Sequence, residues 1–341
     1  MDYTDKIDFK VGNVNKLINL LIDKNKKLII FVGSGISKLC GLPLWNELAE
    51  KLVDDFFGKN TNENKSLKRI AEKNPKLCLS LLEASCHDTN YLNDKIKEKL
   101  IINDENTAQK RIVASFKKMK ASIVTTNADL LLDCCALSDN YVYECTLDEL
   151  NMQNDVIREP SVLYLHGRIT AGDTLVFTVG KYLKKYQNPI FKKNMENLFS
   201  NKNYVFLFMG TSMNELELLQ YMFDTQNEKF ILETFNRNNF VLEDLYKNYY
   251  ENNFNIKQIS IDINEKDYEK QIDFLEKLSN EIYFSYNYNR ESYEKIVDLI
   301  DKCVDNNFEN IIDEIIHEKD ILREDIIYDI FRIINLKKMV K

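Results

Sequence analysis

The sequence predicts an α/β protein in which a parallel sheet lies between two layers of helices. Continuous apolar runs such as "KLIIFV" and "YVFLFM" end at a glycine, which is typical of strands buried on both faces. Segments with apolar residues at helical spacing separate these runs, and this alternation is how parallel strands are connected. Glycine and proline are scarce, at 9 and 4 of 341 residues, which favours a helix-rich chain.

The first part of the chain predicts one strand among several helices. Apolar residues at helical spacing predict a helix over residues 11–24, and the apolar run that follows predicts a strand over 27–32. The segment "WNELAEKLVDDFF" at 45–57 has the spacing of an amphipathic helix. Residues 66–118 are predicted to be mostly helical.

The second part predicts more strands than helices. Buried strands are expected at 121–126 and 204–209, and shorter candidates are "YVYEC", "SVLYLH" and "TLVFTV". The segment "FKKNMENLF" reads as a helix. Two further strand candidates, "KFILET" and "IKQISID", are separated by the helical "VLEDLYKNYY".

We predict two regions, a sheet domain over residues 1–282 and a C-terminal helical region over 283–341. After about residue 280 the strand pattern stops, and the isoleucine-rich segments "ENIIDEIIH" and "REDIIYDIFRIINL" have amphipathic helical spacing. Two interpretations remain open. The helices either form a cap on the sheet domain or provide a surface for self-assembly or a partner protein.

Composition narrows the functional class. The formal net charge of −8 argues against default nucleic-acid binding, which depends on basic patches. The first ten residues are charged, and no apolar run is long enough for a membrane span. Seven irregularly spaced cysteines include no C-x-x-C pair, so we expect no zinc site. These observations predict a cytoplasmic protein with reduced thiols and without direct nucleic-acid or membrane binding.

The loop "VGSGIS" directly after the first strand is the first candidate site. Gly33 and Gly35 flank Ser34, and glycines at such a position let backbone amides approach a phosphate closely. The P-loop pattern is absent, and Lys38 stands where a dinucleotide fingerprint requires a third glycine. Two glycines without the rest of a phosphate-binding motif are also compatible with a tight turn.

Three later strands also end in polar residues, and each of these ends has a simpler structural interpretation. Asn127 and Asp129 in "VTTNAD" are also suited to cap a helix, and a lone histidine such as His166 in "LYLHGR" is often structural. The hydroxyls in "GTS" after the strand at 204–209 either bind a ribose or cap a following helix over 214–223.

Taken together and in this order, the four strand ends resemble the sirtuin-like superfamily of NAD-consuming domains. That family shows a GAGxS-type loop, a T-x-N-x-D stretch, a histidine–glycine pair at a strand end and a late Gly-Thr-Ser or Gly-Tyr-Ser. The resemblance covers about residues 11–282, and Ser34 replaces the usual alanine. The segment "GLPLWNEL" also looks like the corresponding loop of the bacterial defence branch. The resemblance implies a Rossmann-like sheet with an inserted helical module, for which residues 58–118 are the candidate.

The resemblance also implies which residues form the site. The pyrophosphate of NAD+ would be held by the first loop and the adenosine ribose by the last, with Thr126 a further binding residue. The implied binding residues are Gly33, Ser34, Gly35, Ser37, Thr126, Gly210, Thr211 and Ser212. The implied catalytic residues, around the nicotinamide ribose, are Asn127, Asp129 and His166.

These residue types suit cleavage of the nicotinamide–ribose bond, which creates an oxocarbenium-like centre. Asn127 could orient a water or a ribose hydroxyl, and His166 could accept a proton near neutral pH. Asp129 could bind the carboxamide or stabilise the cation.

Two departures separate the chain from the protein-deacylating branch, which carries paired zinc cysteines and an Asp-Phe-Arg segment where this chain has Leu44, Trp45 and Asn46. Without an acyl-lysine, water is the natural acceptor. The hypothesis is therefore an NAD+ glycohydrolase that acts in anti-phage defence by depleting NAD+. It would be gated by self-assembly, a helicase-type ATPase or an Argonaute-like partner. Deacylation, ADP-ribosyl transfer and non-catalytic NAD+ or ADP-ribose sensing remain alternatives.

Overall fold

The computed structural model describes residues 12–22, 26–86, 89–102, 107–133, 161–171, 174–213, 215–235, 240–262 and 268–287. Within these ranges six strands form one sheet in which every neighbouring pair is parallel. The strands are β1 (Lys27–Val32), β2 (Ser122–Thr125), β3 (Val162–Tyr164), β4 (Tyr204–Met209), β5 (Glu228–Phe235) and β6 (Ile256–Asp262).

Twelve helices accompany the sheet in the described ranges, and they connect its strands or flank it. The helices before β2 are α1 (Gly12–Ile22), α2 (Ser34–Leu39), α3 (Trp45–Phe57), α4 (Asn62–Lys73), α5 (Pro75–Ser85), α6 (Thr89–Lys99) and α7 (Thr107–Met119). Those after β3 are α8 (Val179–Gln187), α9 (Pro189–Ser200), α10 (Leu216–Leu219), α11 (Phe240–Phe254) and α12 (Tyr268–Asn287).

The strand order β3-β2-β1-β4-β5-β6 confirms the predicted Rossmann-like architecture. The chain builds outward from β1 in one direction through β3, then returns to the other side of β1 with β4. The connections on the two sides therefore leave the sheet in opposite directions, and a crevice opens between the carboxyl ends of β1 and β4. Ligands of open parallel sheets bind at this switch point.

The two strands at the switch point are buried along nearly their whole length. Only Lys27 at the start of β1 is exposed, and all six residues of β4 are buried. Phe31 and Phe208 lie side by side across the pair, with ring centroids 5.4 Å apart. Burial on both faces explains why these strands are continuous apolar runs rather than alternating ones.

The inserted helices form a small core of their own. Apolar side chains from α3, α4, α5 and α6 pack together with Leu175 and Phe177 of the segment before α8. The last inserted helix, α7, instead makes ion pairs with α12, since Arg111 contacts Glu269, Asp273 and Glu276. The inserted module is therefore confirmed, whereas its exact bounds and the boundary at residue 282 stay predictions.

Two predicted elements differ from the structure. The segment "TLVFTV" is not a strand, because residues 175–177 form a buried segment without regular structure and α8 begins at Val179. The Val176 amide donates to the His166 carbonyl at 2.9 Å, so the segment is held without joining the sheet. A short apolar run cannot by itself distinguish a strand from a buried loop. The helix expected over 214–223 is the shorter α10.

Other predictions fall outside the described residues. The candidate strand "YVYEC" lies there, and of the predicted helical region 283–341 only the end of α12 is described. None of the helices in the described ranges combines the length and the apolar character that a membrane span requires.

Three glycines bring the exits of β1 and β4 into direct backbone contact. The amides of Gly33 and Gly35 donate to the carbonyls of Met209 and Gly210, at 2.9 and 2.8 Å. A Cβ added at Gly35 would lie 2.7 Å from Gly210 Cα, and one added at Gly210 would lie 2.5 Å from Ile36 N. The two loops therefore touch at a distance that no side chain permits.

We expect Gly210→Ala to lower the free energy of unfolding by ~2 kcal/mol, because its Cβ would clash with backbone and its φ of +63° is unfavourable for alanine. The matched control is Gly180→Ala in α8, where an added Cβ meets nothing within 4 Å. There the free energy should stay constant or rise by up to ~1 kcal/mol. Urea unfolding of both variants measures the difference, and equal midpoints would contradict the packing role of Gly210.

Candidate functional site

A buried hydrogen-bond network joins the exits of β1 and β2. Ser37 lies in α2, directly after β1, and Asn127 and Asp129 follow β2. The Ser37 hydroxyl donates to Asp129 Oδ2 at 2.7 Å and accepts from Asn127 Nδ2 at 2.9 Å. The structure thus brings Ser37 together with Asn127 and Asp129, which lie some 90 positions further along the chain.

The orientation of the Asn127 amide is determined by its partners. Its Nδ2 also donates to the Gly33 carbonyl at 3.0 Å, and a carbonyl can only accept. The Asn127 backbone amide donates to Thr125 Oγ1 at 3.0 Å, which holds the main chain in place. Asn127 Oδ1 is therefore the free end of the side chain, buried and without a hydrogen-bond partner.

Asp129 supports this network rather than facing outward. It is 4% exposed, and its Oδ1 accepts from the Leu131 amide at 3.0 Å while its Oδ2 accepts from Ser37. Burial raises the pKa of Asp129, and the hydrogen bonds from Ser37 and Leu131 oppose that shift. In this arrangement Asp129 acts on Asn127 through Ser37, which differs from the direct contact with substrate that the resemblance implied.

His166, just beyond β3, is fully buried and enclosed by aromatic side chains. Its Nδ1 lies 3.1 Å from the Tyr182 hydroxyl and its Nε2 lies 3.1 Å from the Tyr186 hydroxyl. Trp45 packs edge-on against the imidazole, with centroids 6.2 Å apart.

The surroundings of His166 keep the imidazole neutral. Burial, and then the positive charges of Lys76 and Lys185, lower the pKa of His166 to about 3, while a hydrogen bond to the Thr126 backbone opposes the shift. The sequence predicted a proton acceptor working near neutral pH. In this arrangement the imidazole is too weakly basic for that task, because its protonated form would be desolvated.

The hydroxyl-bearing residues at the switch point differ in accessibility. Ser34 and Thr211 are half-buried and Ser212 is exposed, so a ligand in the crevice can reach them. Ser37 and Thr126 are buried. The amides of Gly33 and Gly35 already donate to the exit of β4, so these two glycines are explained by loop packing.

Sequence reasoning missed the residues that surround His166. Tyr182 and Tyr186 stand one helical turn apart in "KYLKKYQ", and that spacing is the only signal that could have indicated them. Glu215, after β4, has a buried Oε2 without a partner. Burial raises the pKa of Glu215, the charge of Lys76 opposes the shift, and Glu217 adds to it.

An ion pair joins the exits of β2 and β3. Arg168, next but one after His166, contacts Asp133, which also accepts a hydrogen bond from the Tyr164 hydroxyl. The Ile169 amide donates to the Ala128 carbonyl at 2.9 Å. These contacts hold the His166 segment against the Asn127 loop.

No group of three or more histidine, cysteine, aspartate or glutamate side chains in the described ranges is arranged to hold a metal ion. Of the seven cysteines, the three that fall in those ranges, Cys40, Cys78 and Cys86, form no disulfide. The expectation that no zinc is bound stays a prediction.

An all-parallel sheet of this order, with polar loops converging on its switch point, defines the class of Rossmann-like ligand-binding domains. The family comparison is more specific, because residues 121–256 match the SIR2-like domain family. This match confirms the predicted resemblance to the sirtuin-like family. The matched range includes the exits of β2, β3 and β4, and the loop after β1 joins them through the contacts of Gly33 and Ser37.

A curated relative supports the same assignment. The chain is 24% identical over 203 residues to Defense-associated sirtuin 2 of Bacillus subtilis. The aligned region covers 58% of this chain and 19% of that protein, so the chain spans about a fifth of the length of its relative.

We expect His166 to make stability depend on pH. Because its folded pKa lies below the unfolded value of about 6.5, the unfolded chain binds a proton first as pH falls. The contribution of His166 to the free energy of unfolding is complete above about pH 6.5. It is lost progressively as the pH falls toward the folded-state pKa of about 3. Between about pH 8 and about pH 5.5, His166 should account for ~1.4 kcal/mol of lost unfolding free energy.

Denaturant unfolding of the wild type and of His166→Gln at the two pH values measures this contribution. Groups common to both proteins cancel in the comparison. Equal pH dependence in the two proteins would show that His166 is not held neutral by burial.

Proposed function

We propose that this protein is an NAD+ glycohydrolase, which converts NAD+ and water into nicotinamide and ADP-ribose. SIR2-like domains use NAD+, and the observation that carries the proposal is the orientation of Asn127. Its Nδ2 is held by Gly33 and Ser37, and its Oδ1 is a buried acceptor without a partner at the carboxyl edge of the sheet. Such an acceptor suits the hydroxyl of a ribose or a positioned water.

The remaining residues suit the same substrate. Ser34, Thr211 and Ser212 offer accessible hydroxyls on either side of the β1–β4 crevice, where parallel sheets bind nucleotides. We assign Ser34 to the pyrophosphate and the other two to the adenosine ribose. Gly33, Gly35 and Gly210 allow these loops to come together. Behind them, Ser37 accepts from Asn127, and the amide of buried Thr126 donates to the Val32 carbonyl at 3.4 Å.

The chemistry needs orientation and one proton acceptor. The C–N bond breaks with its electron pair moving to the nicotinamide ring, which leaves neutral, and the water oxygen bonds to the ribose carbon. Asn127 Oδ1 accepts a hydrogen bond from the water or the ribose and fixes its position. The proton lost from water goes to His166 once one of its ring nitrogens is released. Asp129 contributes by holding Ser37 and thereby Asn127.

We place this activity in bacterial anti-phage defence, because the curated relative is named a defence-associated sirtuin. Hydrolysis of NAD+ would act by depleting the cofactor of the infected cell in the cytoplasm. Such an enzyme requires a gate, and residues 283–341 are our candidate surface for self-assembly or for an activating partner, such as a helicase-type ATPase or an Argonaute-like protein.

A non-catalytic role as an NAD+ or ADP-ribose sensor is the second candidate. One observation favours it, namely that His166 is neutral and has a tyrosine hydroxyl at each ring nitrogen. A sensor would bind the nucleotide through Asn127 without turning it over.

We expect Asn127→Ala to reduce nicotinamide release from NAD+ by ~100-fold or more, because a positioned hydrogen-bonding group is lost in the transition state. Asn227→Ala is the matched control. Asn227 is another buried asparagine whose Oδ1 lacks a partner, and it stands just before β5, at the opposite edge of the sheet. Its variant should retain the wild-type rate.

The assay follows nicotinamide and ADP-ribose, with the protein alone and with candidate activators. Binding of NAD+ without release under any condition would favour the sensor. Release that survives Asn127→Ala would contradict the assignment of Asn127.

We expect Ser37→Ala to reduce nicotinamide release by ~10-fold, less than the loss of Asn127 itself, because the amide keeps its bond to Gly33 but loses its second anchor. Ser37→Thr, which keeps the hydroxyl, should recover part of the rate. Initial rates at saturating NAD+ measure both, and a Ser37→Ala rate equal to wild type would remove Ser37 from the network that orients Asn127.

A further inference from the structure

His166 has no ring nitrogen available to a substrate in this structure. A neutral imidazole carries one N–H and one lone pair. Each nitrogen lies 3.1 Å from a tyrosine hydroxyl, Tyr182 at Nδ1 and Tyr186 at Nε2. One hydroxyl can therefore donate to the lone pair, while the N–H is shared between the other hydroxyl and the Thr126 backbone.

Both tyrosines come from one short helix, α8, and stand one turn apart on the face that covers His166. Their rings are nearly parallel, with centroids 5.8 Å apart, and the Tyr182 ring lies 4.6 Å from the imidazole. Tyr182 is 2% exposed and Tyr186 is 5% exposed, so solvent does not compete for these contacts.

Helix α8 contacts helix α5 of the inserted helical module. The Val179 amide, at its start, donates to Ser80 Oγ of α5 at 2.9 Å. The Nζ atom of Lys76 in α5 lies 3.8 Å from the centroid of the Tyr182 ring. The same atom lies 3.4 Å from a carboxylate oxygen of Glu217 in α10. The position of the tyrosines thus depends on α5, a helix outside the sheet.

We propose that Tyr182 and Tyr186 are positioning residues that withhold His166 from the substrate in the resting protein, and that displacement of α8 releases it. The two hydroxyls occupy the ring positions that a ribose hydroxyl or a water would need. The consequence for catalysis rests on the proposed function, whereas the consequence for ligand binding does not depend on hydrolysis. The contacts of α5 with α8 are the route by which a change in the inserted module would reach His166.

Nitrogen-15 NMR of histidine-labelled full-length protein tests the contacts. The chain has three histidines, so the His166 signals can be assigned by their loss in His166→Gln. Tyr182→Phe should shift the Nδ1 resonance and Tyr186→Phe the Nε2 resonance, because each removes one hydroxyl and keeps the ring. Tyr221→Phe is the matched control, since this buried tyrosine has a hydroxyl without a partner and should shift neither.

The wild type, Tyr182→Phe, Tyr186→Phe and Tyr221→Phe also test the withholding role. Calorimetric titration with ADP-ribose and nicotinamide release from NAD+ are measured without any activator. Removal of one hydroxyl weakens the hold of α8 on the imidazole by one net hydrogen bond, which raises the population of the displaced state about fivefold. Because the ligand reaches His166 in that state, ADP-ribose affinity and the resting rate should each rise by about the same factor. Tyr221→Phe should match the wild type in both.

The outcomes separate the two proposals. Unchanged or weaker ADP-ribose binding in both phenylalanine variants would overturn the withholding role. The two tyrosines would then serve only as hydrogen-bond partners of a buried imidazole. Nitrogen resonances that do not respond would overturn the contacts themselves. Tighter ADP-ribose binding without nicotinamide release in any variant would uphold the withholding role and count against hydrolysis.

Discussion

The close backbone contact between the exits of β1 and β4 is the constraint on which the site depends. Gly33, Gly35 and Gly210 let two loops meet where any side chain would keep them apart. This contact holds Gly33 so that its carbonyl receives the amide of Asn127. The glycine-rich loop, which suggests a phosphate cradle, therefore has a structural task as well. It builds the crevice and orients the residue next to it.

Burial determines the orientation and the protonation of the polar side chains in the site. Asn127, Asp129 and His166 are each at most 5% exposed, and every one of them is held by side-chain hydrogen bonds. Because water does not compete, the amide of Asn127 has one orientation and the imidazole of His166 stays neutral. The same burial that fixes the orientation of Asn127 makes the imidazole of His166 a weak base in this arrangement.

The inserted helices connect this chemistry to the rest of the molecule. The core they form with α3 includes residues from the segment after His166, and α5 holds the helix that covers the imidazole. Under the proposed function, an enzyme that destroys NAD+ must rest in an inactive state. The covering of His166, the proposed proton acceptor, by a helix that contacts the inserted module would provide a physical means of achieving this.

Much of this protein could be predicted from its sequence, because apolar runs and glycines report strands and close contacts directly. Such patterns identified β1, β2 and β4 together with the four polar strand ends, and the order of those ends indicated the sirtuin-like family. Local patterns did not reveal that "TLVFTV" is a buried loop, that Asp129 reaches Asn127 through Ser37, or that two tyrosines cover His166. These depend on contacts between residues far apart in the chain, and only the packing of the tertiary structure decides which polar groups meet and which are left open.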